Sequence, residues 1–129
     1  MYLDASAIKT VLLKEPGWTN VALRIEDHRT KLITSPISVF EAVIDIAGSD
    51  ASSDDIETAR QIVRDFLNEA GAREVVISDA QTKRALELYA RQSEARSETR
   101  LELNEAFILG IAKSLRSKII CTNERFPDQ

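Results

Sequence analysis

Acidic and amide side chains stand at four places where this chain passes from an apolar run into a helix or a polar segment. Asp4 follows Met1-Tyr2-Leu3. Glu41 lies in an otherwise apolar stretch, Phe40 before it and Ala42-Val43-Ile44 after it. Glu105 stands between Leu103 and Ala106-Phe107-Ile108, and Asn123 and Glu124 follow Ile119-Ile120-Cys121. A carboxylate among apolar neighbours is costly unless it meets water, a base or a cation. Each acid alone has an ordinary explanation: Asp4 as a helix cap, Glu41 on a solvent face, Glu105 paired with Arg100. Gathered at one edge of a fold, they would repel one another, and a hard divalent ion with oxygen ligands, Mg²⁺ or Mn²⁺, resolves that repulsion. Such an ion activating water suits phosphodiester hydrolysis.

The elements that must position these residues follow from periodicity. Met1 to Leu3 reads as a brief buried strand. Ala5 to Lys14 has helical spacing through Ala7, Ile8, Val11 and Leu12, broken by Pro16-Gly17. Trp18 to His28 resumes a helix, and Lys31 to Thr34 is a second strand. Ser35-Pro36 gives an N-cap and a first helical residue. The next long helix, Ile56 to Ala70, is capped by Ser53-Asp54-Asp55 and stopped by Gly71. Glu74 to Ile77 is a third strand, Ala80 to Arg91 a helix, and Ser93 to Arg100 a polar loop. Leu101 to Leu115 is again helical, and Lys118 to Cys121 is a fourth strand. Apolar strands alternating with helices predict a three-layer α/β/α sandwich with a mostly parallel central sheet. Such sheets bind ligands at the carboxyl ends of their strands.

At 129 residues the chain is expected to form a single domain, residues 1–129. No run approaches the roughly 18 apolar residues of a membrane span, and Met1 to Asp4 is not a signal peptide. One cysteine, Cys121, allows no internal disulfide and suits a reducing cytoplasm; it reads as a small buried residue. The single histidine, His28, reads as a helix C-terminal residue favoured by the dipole, and Trp18 as a buried helix-start residue. The net charge is −4, which argues against gripping nucleic acid by bulk electrostatics. The charge is uneven, however. Residues 1–82 hold 8 bases and 14 acids, and the remainder 9 bases and 7 acids. Arg96 and Arg100 are candidate RNA contacts in that mildly basic part.

Four segments together resemble the PIN-domain family, in particular VapC-type toxins. M-Y-L-D-A-S-A-I (Met1 to Ile8) resembles the family's opening strand and first Asp. S-P-I-S-V-F-E-A-V (Ser35 to Val43) resembles its second acidic motif, L-N-E-A-F-I-L-G-I-A-K-S (Leu103 to Ser114) its third, and I-I-C-T-N-E-R-F (Ile119 to Phe126) its fourth. The resemblance implies a PIN-like sandwich and a Mg²⁺- or Mn²⁺-dependent ribonuclease. It also implies the toxin of a type II pair, homodimeric and held by a VapB-like antitoxin. Asp4, Glu41 and Glu105 would then be catalytic metal ligands, with Asn123 or Glu124 at the fourth position. Ser6 and Thr122 would be supporting polar residues. Two departures stand out: Glu105 replaces the usual Asp, and Asn104 the Gly before it. They leave open a catalytically weakened protein that acts mainly as an antitoxin- or RNA-binding module. A phosphoacceptor receiver module fits poorly, since no acid pair stands near Asp4 and no Lys follows Cys121.

Overall fold

The computed structural model describes residues 1–94, 101–122 and 126. Four strands, β1 (Tyr2–Leu3), β2 (Ile33–Thr34), β3 (Arg73–Glu74) and β4 (Ile119–Ile120), form one parallel sheet in the order β3-β2-β1-β4. Six helices surround it: α1 (Ala5–Leu12), α2 (Trp18–Asp27), α3 (Pro36–Ala47), α4 (Ser53–Ala70), α5 (Asp79–Glu94) and α6 (Leu103–Ser114). A 3₁₀ turn, Arg29–Lys31, leads into β2. The expected α/β/α sandwich is therefore the fold observed.

Period-two alternation divides the strand residues between two cores. Leu3, Leu32 and Ile120 face one, with α1 to α4; Tyr2, Ile33 and Ile119 face the other, with α5 and α6. Gly110 in α6 sets the spacing of the second layer. A Cβ there would lie 3.0 Å from the Ala85 nitrogen and 3.2 Å from its Cα, so the backbones of α5 and α6 touch where glycine leaves room.

The boundaries differ from expectation in instructive places. The third strand is Arg73–Glu74, not Glu74 to Ile77. Its register is fixed by β2: Arg73 N–H donates to Leu32 O and Val75 N–H to Thr34 O, and β2 offers nothing further to pair with. Val75 and Ile77 pack on the second core without strand pairing, and Val76 is exposed. The long helix begins at Ser53, because Ser52 and Asp55 exchange hydrogen bonds in a capping box. Its α5 neighbour runs through Ser93 and Glu94, where a loop was expected. The rest of that stretch, with Arg96 and Arg100, lies outside the described residues, as do Asn123 and Glu124. Cys121 is half-buried, not buried, standing just past the short β4. Trp18 is also only half-buried, with the Lys14 ammonium 5.6 Å from its ring centre. His28 does stand at the α2 C-cap, its Nδ1 2.8 Å from Arg24 O.

Ser35 takes the N-cap position of α3, but its hydroxyl does not cap the helix. It lies 2.7 Å from the Tyr2 hydroxyl, which also lies 2.7 Å from Ser38 Oγ. All three residues are buried, and the cluster ties the first turn of α3 to β1. Burial pushes the Tyr2 phenol up to about 12, against the lowering effect of the two serines, so it stays neutral. Tyr2→Phe would leave two buried hydroxyls short of a partner and is expected to cost about 1–2 kcal/mol in urea unfolding. Adding Ser38→Ala should return part of that loss.

Candidate active site

The strand order places β1 between β2 and β4, so the chain leaves β1 at a topological switch point. Asp4 sits there, as the N-cap of α1. Its N–H donates to Ile120 O, and its Oδ2 accepts from Ser6 N–H at 3.0 Å and from Ser6 Oγ at 2.6 Å. Ser6 Oγ in turn accepts from Thr122 N–H at 3.0 Å. One hydroxyl thus joins the ends of β1 and β4 and fixes the Asp4 carboxylate. Thr122 continues the linkage, its hydroxyl 3.4 Å from Thr10 Oγ1.

Glu41 enters from α3, on the second turn after β2. Its Oε2 accepts from Asn104 Nδ2 at 2.9 Å. Its Oε1 is buried and, among the described residues, has no hydrogen-bond partner. Asp45, one turn further along α3, lines the same cleft. The cleft has a volume of about 240 Å³ and is also lined by Lys9, Glu15, Asn104 and Thr122. Lys9 and Glu15 approach to 3.7 Å across its rim.

Burial raises the Asp4 carboxyl above its ordinary value; the Ser6 and Ala5 hydrogen bonds oppose this, and Asp45 adds to it. Glu41 is also raised, first by burial, with Asn104 opposing and with Asp4, Asp45 and Glu102 adding repulsion. Both carboxylates therefore carry charge that their surroundings leave undercompensated.

The structure thus brings together Asp4, Glu41, Ser6 and Thr122. It places Glu105 elsewhere. That side chain is buried at the third position of α6, where its Oε1 accepts from Glu102 N–H and closes a capping box, and it is not among the residues lining the cleft. Asn104, the residue before it, faces Glu41 instead. Among the described residues, no group of three or more Asp, Glu, His or Cys side chains forms a cluster able to hold a metal ion. Sequence reasoning missed Asp45 and Asn104 as cleft residues. Asp45 was within reach as the i+4 neighbour of Glu41. The Glu102-x-x-Glu105 spacing was a sign of reciprocal capping.

The donor set still suits a hard divalent cation. Magnesium commonly uses only one or two carboxylates and keeps several waters. Asp4 and Glu41 supply two, and the unpartnered Glu41 Oε1 is an oxygen in need of a positive partner.

A parallel α/β/α sandwich with paired carboxylates at its switch point defines a class of small proteins whose site is acidic. Within that class, the chain belongs to the PIN-domain family, whose model matches residues 1–129. It is similar to a VapC ribonuclease of Rhizobium meliloti (strain 1021), at 34% identity over 121 residues, covering 87% of this chain and 85% of that protein. No helix among the described residues is long and apolar enough to cross a membrane.

Proposed function

We propose that this chain is a divalent-cation-dependent endoribonuclease, the toxin of a type II toxin–antitoxin pair acting in the cytoplasm as one PIN-like domain. The observation that carries this reading is the buried, unpartnered Glu41 Oε1 beside Asp4 at the carboxyl edge of the sheet. The likeness to a VapC ribonuclease supports RNA as substrate and a VapB-like antitoxin as partner; a second copy of the chain is a further proposed partner.

Asp4 and Glu41 would hold Mg²⁺, or Mn²⁺ in its place. Bound there, the cation would supply a positive charge that lowers the pKa of a water and offsets charge on the phosphodiester. Ser6 keeps the Asp4 carboxylate aimed into the cleft through its 2.6 Å bond. Asn104 fixes one oxygen of Glu41, and the other, buried, has no hydrogen-bond partner among the described residues. A carboxylate freed of its proton can orient water for in-line attack, giving 5′-phosphate and 3′-hydroxyl ends. Cleavage of total RNA with Mn²⁺, and its loss in EDTA, tests the reading.

A second reading has its own support. Glu105 caps α6, and Asn104 occupies the cleft position nearest Glu41. A protein with only two cleft ligands would bind the cation weakly and act mainly by holding an antitoxin or RNA. Glu105→Gln separates the two readings. Glutamine serves equally at the third position of a capping box, so the bond from Glu102 N–H can persist. The Mn²⁺ affinity then reports the carboxylate charge alone. An unchanged value makes Glu105 a cap, and a tenfold fall makes it a third ligand.

A further inference from the structure

A second pocket, of about 380 Å³, opens at the amino edge of the sheet, opposite the carboxylate cleft. Lys31, Arg73, Arg116 and Lys118 line it, with His28 beside them, and no Asp or Glu does. Among the described residues, none of the four cations makes an ion pair. Elsewhere in this chain of net charge −4, Arg29, Arg60, Arg64 and Arg84 are paired with glutamates.

Helix ends do not account for the cluster. The C-termini of α2 and α6 lie here, and each contributes roughly half a negative charge, about one in total against four positive side chains. Arg116 has φ +51, the left-handed position after α6 that glycine normally fills, closed by Ser117 N–H donating to Ala112 O. Lys14 takes the same conformation after α1, so the backbone at 116 tolerates a long cationic side chain.

We infer that this pocket is a phosphate-binding anchor that holds the RNA backbone at the edge of the sheet opposite the carboxylate cleft. The inference rests on the RNA-cleaving reading for its ligand, and deepens it by naming a second contact. The acidic cleft repels phosphates except through its cation, so a strand needs positive charge elsewhere to be retained. Lys118 and Thr122 flank β4 at its two ends, about 13 Å apart at 3.3 Å per residue. Ile119 and Ile120 between them are buried, so a strand that touches both edges must pass around the surface of the domain and be longer than a dinucleotide.

Arg116→Gly combined with Lys118→Ala tests this without endangering the fold. Glycine suits the backbone at 116, and among the described residues the hydrogen bonds of Lys118 are made by its carbonyl, which accepts from Tyr2 N–H and Ser117 Oγ and is kept in alanine. The binding of a labelled RNA stem-loop should fall by about fivefold or more, with the slope of log K against log salt reduced by about one to two. Cleavage of a dinucleotide, too short to reach both edges, should be unchanged. Unchanged stem-loop affinity and salt slope would overturn the anchor. So would competition by inorganic phosphate alone with no effect on RNA, which would make this a small-anion site. If the parent cleaves no RNA yet the double variant still loses RNA binding, the anchor stands and the nuclease reading falls.

Discussion

Asp4→Asn is expected to reduce Mn²⁺-dependent RNA cleavage by on the order of 100- to 1000-fold, since a cation's contribution to such a reaction is several kcal/mol and each tenfold is about 1.36 kcal/mol. The fold should persist. Asparagine keeps an acceptor for Ser6 N–H and Ser6 Oγ, which meet the same Asp4 oxygen. Cleavage at the parent rate would place the activity outside this site.

The pH dependence of the same pair follows from the direction of the shifts. Burial raises both Asp4 and Glu41, so the folded chain binds protons more tightly than the unfolded chain between their ordinary and raised values. Without a cation, their contribution to stability increases as pH falls through that interval and levels off below the ordinary carboxylate range. At pH 7 their charge is a cost. Asp4→Asn removes its share, so in EDTA the variant should melt at or above the parent temperature, with a flatter pH slope below neutrality. Saturating Mn²⁺ should reverse the order, stabilising the parent by about 2.7 kcal/mol at a hundredfold excess over Kd and the variant by much less. Cation affinity should weaken as pH falls, because protons compete for the same oxygens.

Gly110→Val is the second large effect, and it bears on stability. Added side-chain atoms would meet the Ala85 nitrogen and Cα and the Gln81 carbonyl, all main-chain atoms of α5 that cannot rotate aside. Helices α5 and α6 would have to separate, opening the second core around Ala106, Ile108 and Ile111. Overpacking of this kind costs about 3 kcal/mol, a fall in Tm of roughly 10 °C for a domain of this size. An unchanged melting temperature would show that the two helices have room to part.

Much of this architecture was legible in the sequence because its signals are local. Short apolar runs followed at once by helical spacing placed β1, β2 and β4, and Pro36 marked the start of α3. The third strand was less legible. Its apolar residues are Val75, Val76 and Ile77, yet pairing is decided by what β2 can reach, and that is Arg73 and Glu74. Asp4 and Glu41 were found because an acid among apolar neighbours demands a reason. Glu105 met the same criterion; it is buried, accepts from the Glu102 amide one turn away, and is not among the residues lining the cleft. Both kinds of acid share apolar surroundings, and capping does not separate them, since Asp4 caps α1 and lines the cleft as well. Asn104 carries no charge to draw attention, so its bond to Glu41 was invisible without coordinates. The acid excess, which argues against a bulk electrostatic grip on nucleic acid, conceals an edge of the sheet where four cations make no ion pair among the described residues.

The bond from Thr122 N–H to Ser6 Oγ joins residues 116 positions apart. Chains emerge from the ribosome amino end first, and contacts so distant in sequence form late. The clasp on the serine that holds the Asp4 carboxylate is therefore completed only once β4 has been synthesised and has docked beside β1, although every other hydrogen-bond partner of Asp4 and Glu41 but Asn104 and Ile120 lies in the first half of the chain.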